Sequence, residues 1–148
     1  MVNAIESRLC LSPKKSDINV INNGLCAFNQ TYLINIKTSS MALFVDDSGK
    51  VIGGLTARVV GCGFHLDYLW LPKRLRSQAL GRRLVDELED FALSRELSSI
   101  CLDTYSFQAP LFYQLLGFNE VGRFKQYLTK GVDKIFYQKE LMSNSCVK

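Results

Sequence analysis

Apolar residues recur in two rhythms along this 148-residue chain, and the switches between them divide it into elements. The strongest helical rhythm runs through Leu80, Leu84, Leu88, Phe91 and Ala92, with Arg82, Arg83, Asp86, Glu87 and Asp90 on the other side. It predicts an amphipathic helix over about 78–95. A weaker rhythm, Ile18, Ile21, Leu25 and Phe28, follows the cap-type residues Ser16 and Asp17 and predicts a helix near 17–29. Asn22, Asn23 and Gly24 dilute its propensity. From Met41 the period shortens. MALFVDD, a turn at Asp46 to Lys50 and VIGGLTARVV read as a hairpin. The glycines at 61 and 63 supply another turn, and FHLDYLWL at 64–71 is a strand stopped by Pro72. An extra antiparallel strand is expected around 32–36, and the first fifteen residues read as irregular or as a short strand.

After the long helix, SSICLDTY (98–105) is a strand and APLFYQLLGF (109–118) a short helix closed by Gly117. Strands near 119–128 and 134–141 flank the turn Lys130-Gly131-Val132. The order is helix, three antiparallel strands, helix, strand, helix, two strands. It predicts an α+β (mixed α/β) fold whose sheet is mostly antiparallel around a central strand–helix–strand unit, made parallel by right-handed crossover. No repeat or low-complexity linker interrupts the chain, so a single domain over 1–148 is expected.

Composition narrows the function. A net charge of +4 suits an anionic ligand and is too small and scattered to argue for nucleic acid. Five dispersed cysteines without a CxxC pair read as reduced intracellular thiols. His65 is the single histidine, which excludes a multi-histidine metal site, and no metal is expected. The N-terminus has no secretory apolar core and no apolar run reaches membrane-span length, so the cytoplasm is the expected compartment.

Two patterns carry candidate chemistry. The stretch LRSQALGRRL (75–84) puts arginines, small residues and a glycine where the long helix begins. A helix start offers uncommitted N–H groups and positive potential, so this is either an anion site or a solvated basic helix start. His65 and Asp67 lie two apart on one strand, hence on one face. Either could accept a proton as a general base, directly or through water, or the two could simply bond each other.

The strand LDYLWLP, the turn RSQALG and the segment SFQAPLFYQLLGF together resemble the GNAT family of N-acetyltransferases, over about residues 40–141. The likeness is to small bacterial single-domain members. It implies a three-layer fold with a splayed strand pair, acetyl-CoA as co-substrate, and direct acetyl transfer to a primary amine of a small molecule or peptide. The family's acyl-CoA signature stands here as Arg76-Ser77-Gln78-Ala79-Leu80-Gly81, with Ala79 where glycine is usual. A helix start needs no positive φ, so the expectation is that Ala79 is harmless. The resemblance implies that Arg76 to Arg82 hold the pyrophosphate, Gly81 admitting it close to the backbone. Main-chain groups of Leu69, Trp70 and Leu71 would hold the pantetheine, with a contact from Ser106, where the family often has asparagine. Tyr113 would protonate the departing thiolate, and Asp67 or His65 would assist deprotonation of the amine. Cys62 and Cys101 lack a histidine at a fixed position and are set aside as nucleophiles. A homodimer is an expectation from the resemblance alone; no nucleic acid or membrane partner is expected.

Two rival readings stand beside this one. One is an acyl-CoA-binding protein without catalysis. The other is a nucleic-acid binder built on Lys73, Arg74, Arg76, Arg82 and Arg83, which leaves the FY–LGF segment unexplained. Phe124, Tyr127, Phe136 and Tyr137 read as strand packing, an acceptor pocket or a dimer contact.

Overall fold

The computed structural model describes residues 5–141. They fall into two compact units, one reaching Ile36 and the other starting at Lys37. The first unit is built on helix α1 (Lys15–Gln30), two residues longer at its start than the spacing predicts. Lys14, not Ser16 or Asp17, stands at its cap position, and Asp17 sits in the first turn, where a carboxylate suits the helix dipole. The stretch 32–36 forms turns rather than the expected strand, and residues 5–14 hold no strand; residues 1–4 of that expectation lie outside the described chain.

The second unit is a six-stranded sheet with two α-helices. Its elements are β1 (Thr38–Asp47), β2 (Lys50–Val60), β3 (Gly63–Trp70), α2 (Leu80–Ser94), β4 (Ser99–Tyr105), α3 (Pro110–Leu115), β5 (Asn119–Phe124) and β6 (Lys134–Glu140). The strand order is β1-β2-β3-β4-β6-β5. β3 and β4 are the parallel pair around α2, as the element order predicts. β6 inserts between β4 and β5, an arrangement that the linear order leaves open.

One face of this sheet is apolar because the strands alternate. Leu55, Ala57, Phe64, Leu66, Ile100, Leu102, Ile135 and Tyr137 all turn to it and are buried. Helix α2 covers it with Leu84, Leu88 and Ala92 of the stripe read from the sequence and with Val85, which that stripe left out, while Leu80 is half-buried and Phe91 exposed. Phe91 stacks on Phe64 with ring centroids 6.0 Å apart. Tyr113 of α3 meets Tyr137 on the same face. Tyr137 is therefore core and not a pocket or dimer residue. β5 ends at Phe124, four residues short of expectation, and 125–133 is a longer turn.

Helix α3 stops by a specific closure. Gly117 has φ +88 and donates to Gln114 O, while Phe118 N–H reaches back to Tyr113 O at 3.0 Å. This is a Schellman closure, and its apolar contact is the Phe118 ring standing edge-on to Tyr113 at 5.8 Å. The glycine therefore fixes where Tyr113 sits. Cys62 is disulfide-bonded, against the expectation of reduced thiols, whereas Cys10, Cys26 and Cys101 are free; Cys146 lies outside the described residues.

Gly117→Ala forces a side chain into the left-handed region and is expected to destabilise the fold by about 1–2 kcal/mol. In a chain of this length that is a fall of roughly 3–6 °C in the thermal midpoint, measurable by calorimetry. An unchanged midpoint would refute the closure as the fixing element.

Candidate active site

Two strand irregularities make the site. β3 and β4 pair only from Gly63↔Ser99 to Leu66↔Leu102, after which β3 continues to Trp70 and β4 to Tyr105 without pairing. Beyond Leu66 the β4-facing edge of β3 therefore has no strand partner. On its other side β3 carries a bulge, with Leu66 opposite Ala57 and Tyr68 opposite Thr56, so that Asp67 is the extra residue. A bulge bends and twists its strand, here away from β4. The result is a cleft of about 990 Å³ through the splay. Leu69 and Trp70 line it from β3 with Leu71 just beyond, Asp103 and Thr104 from β4, Phe112 and Tyr113 from α3.

At one end stands the turn 76–82. Ser77 and Ala79 both lie in the left-handed region, at φ +60 and +58, with Gln78 between them at negative φ. Ala79 is the cap residue of α2 and caps nothing with its side chain. This overturns the expectation that the helix start needs no positive φ: the position is left-handed, and alanine there is strained by about 1 kcal/mol. Among the described residues, no acceptor takes the N–H groups of 77 to 82; the first amide bond of the helix start is Arg83 N–H to Ala79 O at 3.0 Å. Alternating handedness is the backbone pattern that turns successive amides toward one point, and a helix N-terminus adds positive potential.

The cationic side chains are partly committed. Arg76 Nε donates to Leu71 O at 2.9 Å, tying the turn to the end of β3 and leaving its terminal nitrogens uncommitted. Arg82 faces the cleft with Asp86 3.9 Å away. Gln78 Nε2 donates to Arg74 O at 2.8 Å, so its side chain braces the turn. Ser77, Ala79 and Gly81 line the cleft; Gln78 and Leu80 do not. Gly81 has a reason other than the one read from the sequence: a Cβ there would stand 3.3 Å from the Phe112 ring, so the glycine serves α2–α3 packing. Ser106 lies off the cleft. Its Oγ accepts Asp133 N–H at 3.1 Å and its own N–H donates to Asp133 O, so it pins the 125–133 turn.

Tyr113 is buried, and its hydroxyl has no hydrogen-bond partner among the described residues. Burial pushes its pKa up to about 12, so it is a protonated donor at neutral pH. Asp67 lines the cleft on the far face of the sheet, whereas His65 does not. Arg58 of β2, which sequence reasoning missed, grips Asp67: Nη2 lies 2.7 Å from Oδ1 and Nε 2.9 Å from Oδ2. An arginine inside the apolar strand VIGGLTARVV was the available signal. His65 Nδ1 lies 3.1 Å from Asp67 Oδ1 and 3.5 Å from Arg58 Nη2, so the three side chains meet on this face. The Arg58 hydrogen bonds hold the Asp67 carboxyl below the usual carboxylate range, helped by His65.

An opened parallel strand pair beside a turn of unbonded amides is a cleft suited to an extended ligand that carries phosphate. Residues 17–118 match the Acetyltransferase (GNAT) family, and the chain belongs to that family. It is 33% identical over 98 residues to blasticidin-S acetyltransferase of Streptomyces morookaense, covering 64% of this chain and 70% of that protein. An acetyltransferase of Bacillus cereus has a similar structure, with TM-score 0.81, 28% identity, and coverage of 90% of this chain and 98% of the other. A Bacillus anthracis protein solved with acetyl coenzyme A shares the fold, with TM-score 0.60, 18% identity, and coverage of 74% and 66%. The protein is thus an acetyltransferase. Among the described residues no helix is long and apolar enough to cross a membrane, and no acidic, histidine or cysteine group is arranged to hold a metal.

Two outcomes test this geometry. Ala79→Gly relieves the left-handed strain and is expected to stabilise the fold by about 0.5–1 kcal/mol in a denaturant titration, whereas Ala79→Val destabilises it. Because the folded pKa of Asp67 is depressed, its contribution to stability is complete above the unfolded value and is lost as pH falls through the folded one. In an NMR titration, Arg58→Gln is expected to move the Asp67 midpoint upward; an unmoved midpoint would mean that the contact is not formed in solution.

Proposed function

We propose that this chain is a single-domain, acetyl-CoA-dependent N-acetyltransferase that acetylates the primary amine of a small molecule directly, without an acyl-enzyme. The observation that carries this reading is the run of six unsatisfied amides beside the unpaired β3 edge. Phosphates fit the first, and an extended amide-bearing arm fits the second as an added strand. Bound acetyl-CoA supplies an activated acetyl group: a C–N bond to the amine forms, the C–S bond breaks, and the nitrogen gives up its proton.

In this reading the amides of 77–82 bind the pyrophosphate, with Arg76 and Arg82 on outlying oxygens. The backbone of Leu69 to Leu71 aligns the pantetheine, and Leu71 O is already taken by Arg76. Tyr113 donates a hydrogen bond to sulfur and keeps its proton. A phenol at about 12 is a weaker acid than a thiol of about 8.5, so outright transfer to the thiolate is uphill. Asp67 serves as the acceptor that orients the amine and relays its proton to water. What supports Asp67 over His65 is that it lines the cleft. The arginine on it weakens it as a base, which favours a relay over a strong base. A relative named for a small-molecule acceptor supports a small-molecule amine here.

Calorimetric titration with acetyl-CoA is expected to give micromolar binding that the Arg76→Ala, Arg82→Ala double variant loses. Absence of binding to the unaltered chain would end this reading. Tyr113→Phe is expected to lower kcat by about tenfold to a hundredfold with little change in the KM for acetyl-CoA, the loss of one buried donor at the transition state. The wild-type rate should show no titration assignable to Tyr113 between pH 6 and pH 10, since its pKa of about 12 lies above that window.

A further inference from the structure

The far face of the splay, across the sheet from Tyr113, has an unusual make-up. The acidic residues lining the cleft are Asp67 and Asp103, and each has a cation on it. Arg58 lies 2.7 Å from Asp67 and Lys134 3.4 Å from Asp103. The face is therefore close to neutral, and the remaining charged residues of the lining, Arg76 and Arg82, are positive. A polycationic acceptor finds no net field to hold it there.

Aromatic surface takes the place of charge. Tyr127, Tyr105 and Phe107 form a stacked row: Tyr105 to Tyr127 is 6.4 Å at 23°, and Tyr105 to Phe107 is 5.7 Å at 9°. The inner end of the row is occupied: Phe124 packs on Tyr127 at 5.6 Å and Lys134 lies 5.3 Å from the Tyr127 ring centroid. The outer end is Phe107, which lines the cleft and is 66% exposed. Its outward face has no ring partner among the described residues. Across the opening Tyr68 and Trp70 also line the cleft and are exposed. Exposed rings lining one cleft accept a flat ring at low entropic cost, since each has only two side-chain torsions to fix.

We infer that the acceptor is a primary amine carrying a planar aromatic or heteroaromatic ring, which stacks on Phe107 as the next member of the Tyr127–Tyr105–Phe107 row and points its amine at Asp67 and Asp103. This rests on the acetyltransferase reading and specifies its acceptor. The ring supplies affinity through stacking, and the paired carboxylates supply direction, each keeping acceptor lone pairs beyond those its cation uses.

The test uses three primary amines of known acidity: 2-phenylethylamine, its saturated counterpart 2-cyclohexylethylamine, and spermidine. With saturating acetyl-CoA, kcat/KM is expected to favour the phenyl compound over the cyclohexyl by roughly tenfold, with spermidine the poorest. Phe107→Leu, a substitution at an exposed position checked by circular dichroism, is expected to abolish the phenyl preference. Equal rates for the ring pair, or a preference for spermidine, would overturn the inference while leaving amine acetylation intact. Line-broadening NMR of the two ring amines in the presence of coenzyme A separates the remaining case. Preferential binding of the phenyl compound without turnover supports the ring site and sinks the catalytic reading. No preference in binding overturns the ring site, whatever the turnover.

Discussion

The functional architecture depends on one interrupted strand pair. Two parallel strands that pair for four residues and then separate are costly in isolation, because each leaves a row of backbone groups without partners. The chain makes the separation permanent in two ways. The Asp67 bulge twists β3 away while β2 still holds its outer edge. Below the gap, α3 with Tyr113 and Phe118 props the opening from the helical face. What remains is an edge with free backbone groups, which in the proposed reading an extended ligand completes.

The turn ahead of α2 follows the same logic. Two non-glycine residues in left-handed conformation store strain, and such strain survives where the surroundings over-determine it. Here Arg76 to Leu71 O and Gln78 to Arg74 O are the constraints. Together they hold open a row of amides that would otherwise find water or a capping side chain.

Charge is handled in pairs on the opposite face. Asp67 with Arg58 and His65, and Asp103 with Lys134, give hydrogen-bonding direction without net field. A single carboxylate there would serve as a stronger base and a weaker discriminator. In the proposed reading the cation on each exchanges basicity for orientation, and the aromatic residues around them supply the contact area.

By itself the sequence determined the elements and the kind of chemistry. The period of Leu80 to Ala92, the Gly-Cys-Gly turn, Pro72 and Gly117 act within a few residues of themselves, so local rules suffice to read them. The basic turn and the Phe112 to Phe118 segment were legible for the same reason. The tertiary structure alone decided what depends on distant partners. The handedness of Ala79, the packing of Gly81 against Phe112, the bonding of Ser106 to the Asp133 turn and the grip of Arg58 on Asp67 each involve contacts across elements. So does the insertion of β6 beside β4, which no local pattern encodes. A side chain's neighbours five residues away follow from backbone geometry; its neighbours in another strand follow only from how the whole sheet closes.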